Sequence, residues 1–177
     1  KVVKVRDFLL AGGGTTSAVV IESDGEMTPD AAICPPTVDS RESLIAAVRA
    51  SGIVGLGGAG FPAHVKLNVD PSRIEYLIIN GAECEPYVTS DTVTMTDRRE
   101  DMAVALEALK THLGIKNIII GIEANKPKAI QSMKQLMTET AQGCTAQVKV
   151  LPPMYPQGGE KVLIYHTTGK VVPAGKL

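Results

Sequence analysis

From residue 74 onward the apolar positions alternate between two periods. Ile74-Glu-Tyr-Leu-Ile-Ile-Asn80 and Asn117-Ile-Ile-Ile-Gly-Ile122 are short, almost unbroken apolar runs. Runs of this kind mark strands covered on both faces. Between them Met102, Ala105, Leu106, Leu109 and Leu113 recur at helical spacing, which predicts a helix over 97–112. A second helix is expected over 125–139, with Pro127 in its first turn, where a missing N–H costs little. Val148–Leu151 reads as a third strand, ended by Pro152-Pro153. A last short helix is expected over 159–167. Strand–helix–strand–helix–strand at this spacing predicts an α/β fold, with a parallel sheet and right-handed crossovers.

The first part of the chain has a different texture. Phe8-Leu9-Leu10 and Val19-Val20-Ile21 are brief apolar runs, separated by Gly12–Gly14 and followed by Asp24-Gly25. Residues 1–36 therefore read as irregular β structure that closes at Cys34-Pro35-Pro36. A helix follows, capped by Asp39 or Ser40. Leu44, Ile45 and Val48 form its apolar stripe, and Gly52 stops it in a left-handed conformation. The expected division is an N-terminal segment of residues 1–36 and a main domain of residues 37–177.

Composition narrows the possible functions. Aromatic residues are 3% of the 177, so the core has to be built from aliphatic residues and Met. The net charge is −1, from 18 basic and 19 acidic residues in no basic stripe, which argues against nucleic-acid binding. The three cysteines, Cys34, Cys84 and Cys144, are far apart, with no CxxC pair. They suggest neither a disulfide framework nor a local zinc or iron–sulfur site. No apolar run reaches the 18 or so residues a membrane span needs. Both ends read as cut, since the chain starts at Lys1 and stops just after a Gly/Pro turn.

Three segments could carry chemistry. In the first, five of the nine residues from Gly52 to Gly60 are glycine, and Phe61, Pro62 and then Lys66 follow. Such density suits a backbone that approaches a ligand closely and cradles an anion with free N–H groups. Gly55, Gly57, Gly58 and Gly60 formally match GxGxxG, but a helix precedes them where the dinucleotide fingerprint needs a strand. The second segment is Asn80-Gly-Ala-Glu83-Cys-Glu85-Pro-Tyr87, at the end of the first central strand, where open α/β sheets bind ligands. Glu83 and Glu85 are two apart, so an extended chain turns both to one side. They are candidates for holding nucleotide donors or for acid–base work. The third segment, Tyr155-Pro-Gln-Gly158-Gly-Glu160-Lys161, opens the last helix. Its glycines and helix N-terminus suit an anion or a polar ring edge. These three turns are expected to meet at one crevice.

Taken together, "GIVGLGGAGFPAHVKL", "IEYLIINGAECEPYVTSD", "IGIEANKPKAI" and "YPQGGEKVLIYHTTGKVVPAGKL" resemble the C-subunit family of Rnf/Rsx electron-transport complexes. More distantly they resemble the flavin-carrying, NADH-binding subunit of respiratory complex I. The resemblance implies a Rossmann-like domain that binds FMN non-covalently with NAD(H) beside it. It assigns Gly55, Gly57, Gly58 and Lys66 to the FMN phosphate and ribityl region, with Gly60 in the same turn. Asn80 and Glu83 would lie along the flavin. Glu85 would approach the nicotinamide nucleotide, and Phe61 would stack near its adenine. Tyr155, Gly158 and Glu160 would close the flavin site. It further implies [4Fe–4S] clusters in a C-terminal part that is not in this sequence, and other Rnf subunits and a ferredoxin-type donor as partners. The place it implies is the cytoplasmic face of a membrane, as a peripheral component. Leu56 and Ala82 depart from the complex I pattern, as do Leu67 and Asn68. The first two leave open a flavin-free docking module, and an electron-transfer protein of a related reductase system is a further alternative.

Overall fold

The structure is a computed structural model and describes residues 1–56, 60–140 and 143–176. It comprises two compact units, Lys1–Pro36 and Thr37–Leu177.

In the first unit β1 (Val2–Leu9) pairs antiparallel with β2 (Thr15–Ile21), with Val5 opposite Val19 and Leu9 opposite Thr15. The glycine turn between them is closed by Leu10 N donating to Gly14 O at 2.7 Å and Gly13 N to Leu10 O at 2.9 Å. The strands run longer than the apolar runs that signal them, because polar residues extend them: Lys4, Arg6 and Asp7 in β1, and Thr15, Thr16 and Ser17 in β2. Every residue of β1 is exposed.

The second unit is built on a parallel sheet in the order β3 (Leu77–Gly81), β4 (Asn117–Glu123), β5 (Thr145–Leu151). Ile79 sits opposite Ile120, and Ile120 opposite Val148. The α/β architecture expected from the sequence is what the chain adopts. β3 starts at Leu77 rather than Ile74 because a 3-10 turn, Pro71–Arg73, takes up the chain before it, and Ile74 N still donates to Pro71 O. β5 starts earlier than the apolar run, at Thr145, because its alternating polar residues face outward from an edge strand.

The helices are α1 (Arg41–Ala50), α2 (Ala63–Leu67), α3 (Ser90–Asp97), α4 (Arg99–Leu113), α5 (Pro127–Thr140) and α6 (Glu160–Thr168). Ser40 caps α1 in a reciprocal box with Ser43. The single helix expected over 97–112 is the second of two, since the chain breaks at Arg98, which ends α3 and opens α4. Gly114, at φ +64°, stops α4 in the left-handed region, where a Cβ would be strained.

Ile118, Ile120 and Ile122 of β4 pack against Leu106 and Leu113 of α4, Met95 of α3, and Met133, Leu136 and Met137 of α5. The other face of the strand receives α6. A Cβ at Gly121 would stand 2.8 Å from Leu163 Cδ1 and 3.0 Å from Leu151 Cδ1. The central strand is thus covered on both sides, which explains its unbroken apolar run. Each fully buried aliphatic side chain there contributes roughly 2 kcal/mol. No helix among the described residues is long and apolar enough to cross a membrane.

Candidate functional site at the carboxyl edge of the sheet

Because the three strands are parallel, Gly81, Glu123 and Leu151 end at the same edge. The turn after β3 is tied to the turn after β5. Asn80 Nδ2 donates to Gly158 O at 3.0 Å, and Asn80 Oδ1 accepts from Ala82 N at 3.2 Å. The two backbones run so close that a Cβ on Gly158 would lie 3.0 Å from Ala82 O. Gly159 then caps α6, and Glu160 stands exposed in its first turn. Beside them Gln157 is wholly buried, with Oε1 2.9 Å from His166 Nδ1. Its Nε2 has no hydrogen-bond partner among the described residues. An orphaned buried amide is uncommon in a folded protein.

The two carboxylates of the second segment do not share a side. The strand ends at Gly81, and a turn follows in which Val88 N donates to Glu85 O at 3.4 Å, so the alternation of an extended chain does not reach Glu85. Glu85 stays exposed, whereas the Glu83 side chain is 1% exposed and faces inward. Glu83 accepts from Asp91 N at 2.8 Å, from Thr92 N at 3.3 Å and from Thr92 Oγ1 at 2.7 Å, and pairs with Lys126 Nζ at 3.3 Å. Its carboxylate therefore caps α3, which has no capping side chain at Thr89. Burial pushes the Glu83 carboxyl up, but the Thr92, Asp91 and Lys126 donors outweigh it and hold it below the ordinary value. Asp91 shifts the other way, raised first by burial and then by the charges of Glu83 and Glu85.

Glu123, 2% exposed at the end of β4, accepts from Glu83 N at 3.2 Å. Neither Glu123 nor Lys126 belongs to the three segments read from the sequence, although the strand-end rule applied to β3 applies equally to β4. With Glu85, Tyr87, Met154 and Tyr155 they line a cleft of about 360 Å³ across all three strand ends. That volume lies within the range of small-molecule and cofactor sites. Among the described residues no cluster of three or more His, Cys, Asp or Glu could hold a metal ion.

The glycine-rich turn is placed differently. Gly57 and Gly58 lie outside the described residues. Around them Gly55 N donates to Phe61 O at 3.0 Å and Ala63 N to Ile53 O at 3.0 Å, which makes a small hairpin between α1 and α2. Gly60, at φ +67°, and the half-exposed Phe61 belong to it. Lys66 of α2 lines a separate, mostly apolar groove of about 200 Å³ with Tyr76, Leu77, Leu113 and Ile115. Leu77 begins β3 and Ile115 precedes β4, so this groove is at the amino edge of the sheet. Leu67, which packs on the main core, holds α2 there. Of the three turns expected to meet, the second and third are brought together. Of the residues expected at the site, Glu83, Glu85 and Tyr155 line the cleft; Asn80, Gly158, Glu160, Lys66 and the described residues of the glycine turn do not.

Residues 48–177 match the Nuo51 FMN-binding domain family. The chain belongs to that family. It is also 40% identical over 182 residues to the C subunit of the proton-translocating ferredoxin:NAD(+) oxidoreductase complex of Clostridium ljungdahlii, covering 100% of this chain and 39% of that protein. It is 40% identical over 185 residues to the C subunit of the ion-translocating oxidoreductase complex of Rhodobacter capsulatus, covering 100% of this chain and 35% of that protein. To the C subunit of the Na(+)-translocating ferredoxin:NAD(+) oxidoreductase complex of Acetobacterium woodii it is 39% identical over 181 residues, covering 100% of this chain and 40% of that protein. The resemblance read from the four sequence segments holds, and the chain spans 35–40% of these relatives' length. Among solved structures, an NAD+-reducing [NiFe]-hydrogenase in the air-oxidized state is similar in fold, with a TM-score of 0.64 and 23% identity. That match covers 75% of this chain and 25% of the hydrogenase chain.

Proposed function

We propose that this domain holds FMN in the cleft at the carboxyl edge and exchanges electrons there with NAD(H), on behalf of a longer ion-translocating ferredoxin:NAD+ oxidoreductase subunit. The observation that carries the reading is the lock between Asn80 and Gly158, which brings two glycine-bearing turns to one mouth at the strand ends. Two features fit a flavin nucleotide. The cleft has a volume in the range of cofactor sites, and its lining is mostly polar.

When bound, FMN supplies the redox chemistry, taking electrons in pairs and releasing them singly. The chain supplies position and charge. Asn80 fixes the spacing of the two turns. Lys126, the cation in the lining, neutralises the buried Glu83 and leaves Glu85 as the exposed carboxylate on the solvent side. Glu85 is the residue for a polar contact to the nicotinamide nucleotide. The iron–sulfur carriers, the other Rnf-type subunits, the ferredoxin-type donor and the cytoplasmic membrane face belong to the longer protein and are part of this proposal. Similarity to ferredoxin:NAD(+) oxidoreductase subunits supports it.

The test is to titrate the chain with FMN and then with NADH, following flavin absorbance. Saturable FMN binding and bleaching by NADH are expected, and no flavin binding would overturn the proposal. In the same assay Glu85→Gln should weaken NADH binding about tenfold, as loss of a charged hydrogen-bond partner does, and leave FMN affinity as it was. Equal loss of both would remove Glu85 from the nucleotide's side of the cleft.

A further inference from the structure

The turn after β3 contains a residue that its own backbone disfavours. Glu85 O accepts from Val88 N at 3.4 Å, Pro86 takes the second position of the turn, and Tyr87 takes the third at φ +65°. A positive φ at the third position after Pro is the pattern of a type II turn, which selects Gly or Asn because a Cβ is strained there. A bulky aromatic in this conformation is an outlier, and such outliers gather at ligand sites.

The fold gains nothing visible from it. Tyr87 is fully exposed, and its hydroxyl makes no hydrogen bond among the described residues. Met27, also at positive φ, differs in that its backbone N–H is held by Asp24 Oδ1 at 3.3 Å in a side-chain-anchored turn. What Tyr87 does have is a place: it lines the strand-end cleft together with Tyr155, itself 73% exposed, and Met154. A ring kept in a strained turn, solvated and at the mouth of a polar cleft, has its partner outside the chain. The partner suited to a flat, exposed phenol is another flat ring.

We propose that Tyr87 is a specificity-determining residue that stacks on a planar heteroaromatic ring of the pyridine dinucleotide entering the cleft. It separates the cleft into a polar floor, set by Lys126 and Glu123, and an aromatic mouth. The proposal rests on the nucleotide reading above but concerns the dinucleotide and not the flavin.

The experiment compares the parent chain with Tyr87→Phe and Tyr87→Gly. Each is melted without ligand, titrated with FMN, and titrated with NADH by calorimetry. Glycine relieves the turn, so Tyr87→Gly should melt higher than the parent while binding NADH about tenfold more weakly, the scale of one lost base–aromatic stack. Tyr87→Phe keeps the ring and should bind NADH within about twofold of the parent. FMN affinity should be the same in all three. Unchanged NADH affinity in Tyr87→Gly overturns the proposal and hands the ring to a protein partner. So does a lower melting temperature in Tyr87→Gly, which would make Tyr87 structural, and so does an absence of NADH binding to the parent. If NADH binds and depends on Tyr87 while FMN does not bind, the flavin reading fails and this one stands.

Discussion

Replacing Glu83 by alanine should cost the folded chain about 3 kcal/mol, seen as a fall of about 10 °C in the melting temperature. The Glu83 side chain is 1% exposed and satisfies four donors, three on α3 and the fourth on Lys126. Removing it uncaps α3 and leaves Lys126, whose side chain is 17% exposed, without its carboxylate. Breaking one half of a buried pair is far costlier than losing a surface pair. The loss should also depend on pH, with a definite sign. Glu83 is held below its ordinary value of 4.5, so its contribution is present above that pH and fades as the pH falls through the depressed value. Asp91, raised by burial and its acidic neighbours, works in the opposite direction, since taking up a proton relieves its strain. Thermal melts of parent and Glu83→Ala should therefore lie furthest apart near neutrality and draw together as the pH falls through the depressed Glu83 value. A constant gap across that range would mean that the carboxylate's charge is not what stabilises the turn.

The second large effect is expected at Gly81, the last residue of β3. A Cβ there would stand 2.9 Å from Met95 Sδ, 3.0 Å from Gly121 O and 3.2 Å from Ile122 Cγ1. Met95 can turn away. Gly121 O cannot, because it belongs to the strand that pairs with β3. Overpacking of this kind costs roughly 1–3 kcal/mol, so Gly81→Ala should lose about 2 kcal/mol and Gly81→Val more. Urea unfolding measures it. The valine variant should lose FMN as well, since displacing Gly81 shifts Ala82 and the Gly158 turn resting on it. A valine variant within about 0.5 kcal/mol of the parent would show that the strand end yields freely.

The parts of the fold that can be read from the sequence are those whose signal is local. Ile118, Ile119, Ile120 and Ile122 announce a strand because both faces of it are covered, and Pro127 announces the start of α5. Helix α3 cannot be read, because Ser90-Asp-Thr-Val-Thr-Met-Thr-Asp97 has neither a helical stripe nor strong propensity. It is held by Glu83 from another loop, and a tertiary cap leaves no mark in the helix's own sequence. The site divides along the same line. The strand-end rule leads to Asn80 and Glu85, and the glycine-bearing start of the last helix leads to Gly158. The period-2 pattern breaks after Glu83 because Pro86 turns the chain before it can persist. Proximity in sequence groups Lys66 with the glycine turn, and Leu67 anchors it instead at the amino edge. Tyr87 stands in full view within the second segment, yet only its φ makes it conspicuous.

The ribbon made by β1 and β2 has one further consequence. Solvent reaches every residue of β1 and most of β2, and a two-stranded sheet by itself is only marginally stable in water. Its amides open with little free energy and trade hydrogen for deuterium early. Those at the centre of β4, where Ile120 and Ile122 are wholly buried, open only when the entire domain does. One molecule thus keeps two clocks, and a deuterium-exchange curve averaged over the whole chain would describe neither.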